Sequence, residues 1–95
     1  MRIAHFEPVD ARGKRIRKGS LVRIVGMPDL SGLRDAKGRR QAAHVFRHIR
    51  GQCKVVSGFN RYGHVELFFR IRRGVLAGIH SVEIEPNLLL VQAPR

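Results

Sequence analysis

Ninety-five residues are enough for one modest core and too few for two, which excludes elaborate multidomain chemistry. Hydrophobic residues at 43% and charged residues at 27% match an ordinary globular domain, not a disordered or collagenous chain. Nineteen Lys and Arg against seven Asp and Glu leave +12, and fifteen of those cations are Arg, whose planar fork grips phosphate through two hydrogen bonds and stacks on bases; a polyanionic partner is the first expectation.

In chain order, residues 2–9 read as a short first strand, and Asp10 to Gly19 as a basic connection carrying Arg12, Lys14, Arg15, Arg17 and Lys18. Ser20-Leu21-Val22-Arg23-Ile24-Val25 has the β-branched density of a strand, stopped by the turn-forming Gly26-Met27-Pro28-Asp29. Residues 30–40 hold two glycines and little periodicity, so they read as a flexible basic loop with Arg34, Lys37, Arg39 and Arg40. From Gln41 to Arg50, Ala42, Val45, Phe46 and Ile49 fall at i, i+3, i+4 and i+7, the stripe of a short amphipathic helix that ends at Gly51.

The second half is strand-dense. Gln52 to Val56 is a candidate strand, followed by a loop over residues 57–63 with Phe59, Arg61 and Tyr62. His64 to Ile71 alternates, with Val65, Leu67, Phe69 and Ile71 on one face and His64, Glu66, Phe68 and Arg70 on the other. After a connection over residues 72–78, Ile79 to Glu85 alternates again, Pro86-Asn87 breaks it, and Leu88 to Val91 forms a last short strand before a frayed tail over residues 92–95. Five or six short strands and one helix near residues 41–50 predict an all-β class, a small closed or half-closed barrel that protects its own edges. Its expected core is Val22, Ile24, Val55, Val65, Leu67, Phe69, Val82, Ile84, Leu88 and Leu90.

Lys18-Gly19-Ser20-Leu21-Val22-Arg23-Ile24, with a turn containing Gly26 and Pro28 after it, resembles the opening of SH3-like barrels of the KOW and Tudor type. Arg47-His48-Ile49-Arg50-Gly51, the following Gln52 to Val56, and His80-Ser81-Val82-Glu83-Ile84 are similar to the SH3-like barrel of the nitrile hydratase beta subunit, with His48 and His80 where that family carries aromatics. The resemblance spans about residues 18–91 and implies a single small SH3-like barrel. The KOW-type likeness implies contact with RNA or with the transcription and translation machinery; the nitrile hydratase likeness implies a docking module beside another subunit. Neither carries a catalytic residue to this chain, because the nitrile hydratase metal sits on clustered alpha-subunit cysteines and only Cys53 is present here.

The first fifty residues hold 13 basic and 4 acidic side chains, so the charge is concentrated in the basic connection and the basic loop. Two such runs on neighbouring loops of a barrel can form one phosphate-gripping track or stay as solvated surface. Phe59, Tyr62 and Phe68, beside Arg61, either offer bases a stacking platform or pack into the core. His44 and His48 have the i, i+4 spacing of a metal pair without further ligands at a telling spacing, and Cys53 reads as a buried inert thiol. Glu66, set in alternation with His64 and Arg70, reads as a cross-strand charge balance. With no Walker loop, Gly-x-Gly-x-x-Gly, nucleophile elbow or Cys, His and acid triad, the expectation is a chain that is not an enzyme and needs no cofactor or metal.

The expected function is non-enzymatic nucleic-acid binding, RNA ahead of DNA, through Arg12, Lys14, Arg15, Arg17, Lys18, Arg34, Lys37, Arg39, Arg40, Phe59, Arg61, Tyr62 and Phe68. The alternative is a protein-docking module that recognises an acidic protein surface, or an accessory subunit of a larger complex. One cysteine, no apolar run near ~20 residues and no secretory leader place the expected compartment in the cytoplasm with no membrane partner, and leave the oligomeric state open.

Overall fold

The computed structural model describes residues 8–93. Along them run β1 (Leu21–Ile24), α1 (Ala36–Ile49), β2 (Cys53–Phe59), β3 (Val65–Ile71), β4 (Gly78–Ile84), a 3-10 turn (Pro86–Leu88) and β5 (Leu89–Val91). The five strands form one antiparallel sheet in the order β4-β3-β2-β1-β5. The first expected strand falls mostly on residues outside the described ones; within them, Val9 makes a single antiparallel bridge to Arg15.

Strand β2 is shared by two halves of this sheet. Its first half pairs with β1, Leu21 opposite Val55 and Arg23 opposite Cys53, while its second half pairs with β3, Val56 opposite Leu67 and Phe59 opposite Val65. Between Val56 and Gly58 the register shifts, as at a β-bulge, and such a shift bends the strand. The sheet must curl for a second reason. A flat five-stranded sheet would hold β4 and β5 about 19 Å apart at ~4.8 Å per gap, whereas the chain from Ile84 to Leu89, mostly a 3-10 turn, covers about 13 Å.

One face of the curled sheet is dry. Val22, Ile24, Val56, Val65, Leu67, Phe69, Ile71, Ile84 and Leu89 point inward and are buried, and Val45, Phe46 and Ile49 of α1 close over them together with Ile16. Each such side chain contributes ~1.5–3 kcal/mol of burial. The expected core is corrected at the ends. Val55 is 54% exposed and Val56 takes the inward place, because the Val56–Leu67 register fixes which of two adjacent valines faces in. Leu89, opposite Ile24, is buried where Leu88 and Leu90 are only half-buried, and Val82 is also half-buried.

Helix α1 begins five residues earlier than the apolar stripe predicts, so residues 36–40 are helical and not part of a loop. The cause is Asp35, whose carboxylate accepts from Lys37 N–H at 3.2 Å and Gly38 N–H at 3.1 Å and so caps the free amides of the first turn. At the other end Gly51 takes φ of 83°, the left-handed turn that lets the chain leave the helix for β2. The tail is tied down as far as Gln92, whose N–H donates to Leu21 O at 2.8 Å.

Candidate nucleic-acid interface

Asp10 organises the basic connection. Its side chain is only 5% exposed, with Oδ1 accepting from Arg12 N–H at 2.9 Å and Lys14 N–H at 2.8 Å, and Oδ2 accepting from Val91 N–H at 2.8 Å. Burial alone would push this carboxyl up; the amides of Val91, Lys14 and Arg12 and the Arg12 charge outweigh it and hold the pKa below its ordinary value. A residue 81 positions from Val91 thus fastens the basic turn to β5. Ala11 N–H to Leu89 O at 3.0 Å and Gly19 N–H to Val56 O at 2.8 Å complete the attachment.

The attached segment faces the turn between β2 and β3. That turn is built by Asn60, whose Oδ1 accepts from Tyr62 N–H and His64 N–H, both at 2.9 Å, and whose Nδ2 donates to Glu83 Oε2 at 2.9 Å. Gly63 at φ of 82° reverses the chain there. Between the two segments lies a cleft of about 310 Å³, lined by Arg15, Arg17 and Lys18 on one side and Phe59, Asn60 and Gly63 on the other, with Pro8 and Ile16 also in its lining. Its size falls at the low end of sites that take a small molecule or one nucleotide. At the turn tip Tyr62 is 66% exposed, with the Arg61 guanidinium 5.0 Å from its ring centroid.

A larger open groove of about 1290 Å³ adjoins this cleft and shares Arg15, Arg17 and Lys18 with it. Lys14, Arg15, Arg17, Lys18 and Arg23 contribute its cations, and Leu21, Cys53 and Val91 are among its apolar lining. This volume exceeds a single small-molecule site and suits an extended chain. Cys53 is half-buried in that wall, not fully buried as its apolar neighbours imply.

The expected site residues therefore separate. Lys14, Arg15, Arg17, Lys18 and Phe59 line the clefts, and Arg12, Arg61 and Tyr62 lie exposed on the two segments that form them. Arg34, Lys37, Arg39 and Arg40 line neither cleft; they stand at and before the first turns of α1, where Arg39 donates to Leu33 O. Phe68 also lines neither cleft, although it is 60% exposed on the outer face of β3. Glu66 stands directly opposite Glu83, a carboxylate and not the expected cation. Sequence reasoning missed Arg23 and Asp10. Asp10-Ala11-Arg12-Gly13, an acid followed by a glycine, carries the signal of a side-chain-capped turn.

Among the described residues no group of three His, Cys, Asp or Glu is placed to hold a metal ion, and no helix is long and apolar enough to cross a membrane. His44 and His48 are exposed on α1, and His80 stacks on Phe69 with ring centroids 5.7 Å apart. Compared with family models, curated proteins and solved structures, the chain matches none.

Proposed function

We propose that this chain is a non-enzymatic RNA-binding domain on an SH3-like barrel. A curled sheet in the order β4-β3-β2-β1-β5, whose two edge strands are joined by a single 3-10 turn, supports the barrel reading. The observation that carries the function is the cleft in which Arg15, Arg17 and Lys18 face Phe59 across a space the size of one nucleotide. In this reading the cations hold phosphates, Phe59 and Tyr62 receive unstacked bases, and the adjoining groove with Arg23 guides the rest of the strand.

Single-stranded RNA is favoured over duplex DNA because the interface is a cleft between two turns and offers neither a helix nor a β-ribbon to a major groove. Arg34, Lys37, Arg39 and Arg40 act at longer range, raising the positive field that draws the strand in. The test is a titration of a labelled oligouridylate at about 50 mM and about 200 mM salt. Binding is expected at the lower salt, with steep weakening at the higher one and a loss of at least about tenfold in an Arg17→Ala, Lys18→Ala variant. Absence of binding at the lower salt defeats the reading.

A further inference from the structure

The outer face of β3 and β4 carries charges in an order that inverts about one aromatic residue. Glu66, Phe68 and Arg70 alternate outward along β3, ~6.8 Å apart. On β4, Glu83 lies opposite Glu66, Ser81 opposite Phe68 and Ile79 opposite Arg70. Phe68 is 60% exposed and Ile79 57%, and Val55 at 54% and Leu21 at 42% extend the apolar row along the same face onto β2 and β1. Like charges directly opposite each other destabilise a sheet, and among the described residues the side-chain donor to Glu83 is the neutral Asn60 Nδ2.

We propose that this face docks a second copy of the chain, the two β3 strands lying antiparallel across a two-fold axis at Phe68. Such an axis, in the plane between the sheets and perpendicular to the strands, sets Phe68 against Phe68 and brings each Arg70 to the Glu66 and Glu83 of the other copy. The guanidinium then supplies a countercharge that the carboxylate pair does not find among the described residues. An axis parallel to the strands would place Glu66 on Glu66 and Arg70 on Arg70, so the charge order selects the antiparallel arrangement. In a chain of +12, the two carboxylates and one guanidinium on the outer side of β3 and β4 let copies meet there without stacking cation on cation.

A sheet face of roughly 20 by 20 Å offers about 400 Å² per copy, near half of the ~800 Å² of a standard interface, so the dimer is weak and concentration-dependent. The proposal does not rest on the RNA reading: its axis and its charge pairs use Glu66, Phe68, Arg70 and Glu83, none of which lines a cleft, and Leu21 at the edge of the face is the one residue it shares with the groove. The experiment is sedimentation equilibrium of the full chain, freed of nucleic acid, from about 10 to about 500 μM near 0.15 M salt, where net repulsion is screened. A monomer–dimer equilibrium is expected, weakened at least about tenfold by Glu66→Arg alone, Arg70→Glu alone or Phe68→Ala. Mixing the Glu66→Arg and Arg70→Glu chains restores dimers, because each then presents what the other needs. Circular dichroism checks that each variant is folded. A wild-type chain that stays monomeric throughout, charge variants that associate as well as wild type, or a mixture that stays monomeric overturns the proposal.

Discussion

Replacing Asp10 by Ala removes the acceptor of three backbone amides at once. The N–H groups of Arg12 and Lys14 lie on an exposed turn and regain water, so each loss costs about 0.5–1 kcal/mol. Val91 is half-buried where Arg12 and Lys14 are exposed, so its N–H is left without its partner at about 1–3 kcal/mol, which brings the expected destabilisation to about 3 kcal/mol. With an m-value of about 1–1.5 kcal/mol/M, the urea midpoint at pH 7 should fall by about 2–3 M. Asp10→Asn, which keeps one carbonyl oxygen, should lose about half as much.

The folded pKa of Asp10 lies below its ordinary value of 3.8, so the unfolded chain binds the proton more readily. Its contribution is therefore complete above the unfolded pKa and is lost as pH falls through the folded one; the gap between wild type and Asp10→Ala should narrow below about pH 4. RNA affinity adds an independent readout. The variant carries one more net positive charge, which by itself tightens binding, yet a released basic turn should weaken it. An unchanged urea midpoint, a gap that is constant with pH, or tighter RNA binding by the variant would refute the reasoning.

Leu67→Ala, at a fully buried position on β3, should cost ~2–5 kcal/mol in urea denaturation, whereas Phe68→Ala beside it should stay within about 0.5 kcal/mol of wild type. Asp35→Ala removes the cap of α1 and should cost about 1 kcal/mol, read by thermal unfolding followed at 222 nm. Gly51→Ala places a Cβ at φ of 83° and should cost about 1–2 kcal/mol in the same assay, although nothing lies within 4 Å of the added carbon. Phe59→Ala should weaken RNA binding by ~1–3 kcal/mol in fluorescence titration while leaving its salt dependence unchanged, because a stacking surface and not a charge is removed.

The strands were legible where alternation is strict. Along β3 the sequence pattern and the buried face agree residue by residue, since Val65, Leu67, Phe69 and Ile71 are separated by polar residues or by the outward Phe68. Adjacent apolar residues carry no such information: Val55 and Val56, or Leu88, Leu89 and Leu90, are assigned to a face only by their partners across the sheet. The early start of α1 was hidden by Gly38 and by cations that resemble a loop, while Asp35 at the N-cap was a readable signal.

Of the candidate site, the basic segment and the turn over residues 60–63 were legible as separate pieces, and their meeting was not; residues 57–59, expected in that loop, continue β2 and put Phe59 at its end, opposite Val65. That meeting depends on contacts between residues far apart in sequence: Asp10 with Val91, and Gly19 with Val56. The sequence also gave no sign that Arg34 to Arg40 would stand apart from the clefts, because that follows from where a capped helix packs, on the inner face.

The most direct test maps the ligand onto the chain: two-dimensional amide NMR of the labelled protein titrated with a short oligouridylate. The account predicts shifts concentrated in residues 14–18, at Arg23 and in residues 59–63, with small ones at residues 34–40 and along Glu66 to Arg70. Shifts confined to the start of α1 or to the outer face of β3, or none at any position, would contradict it.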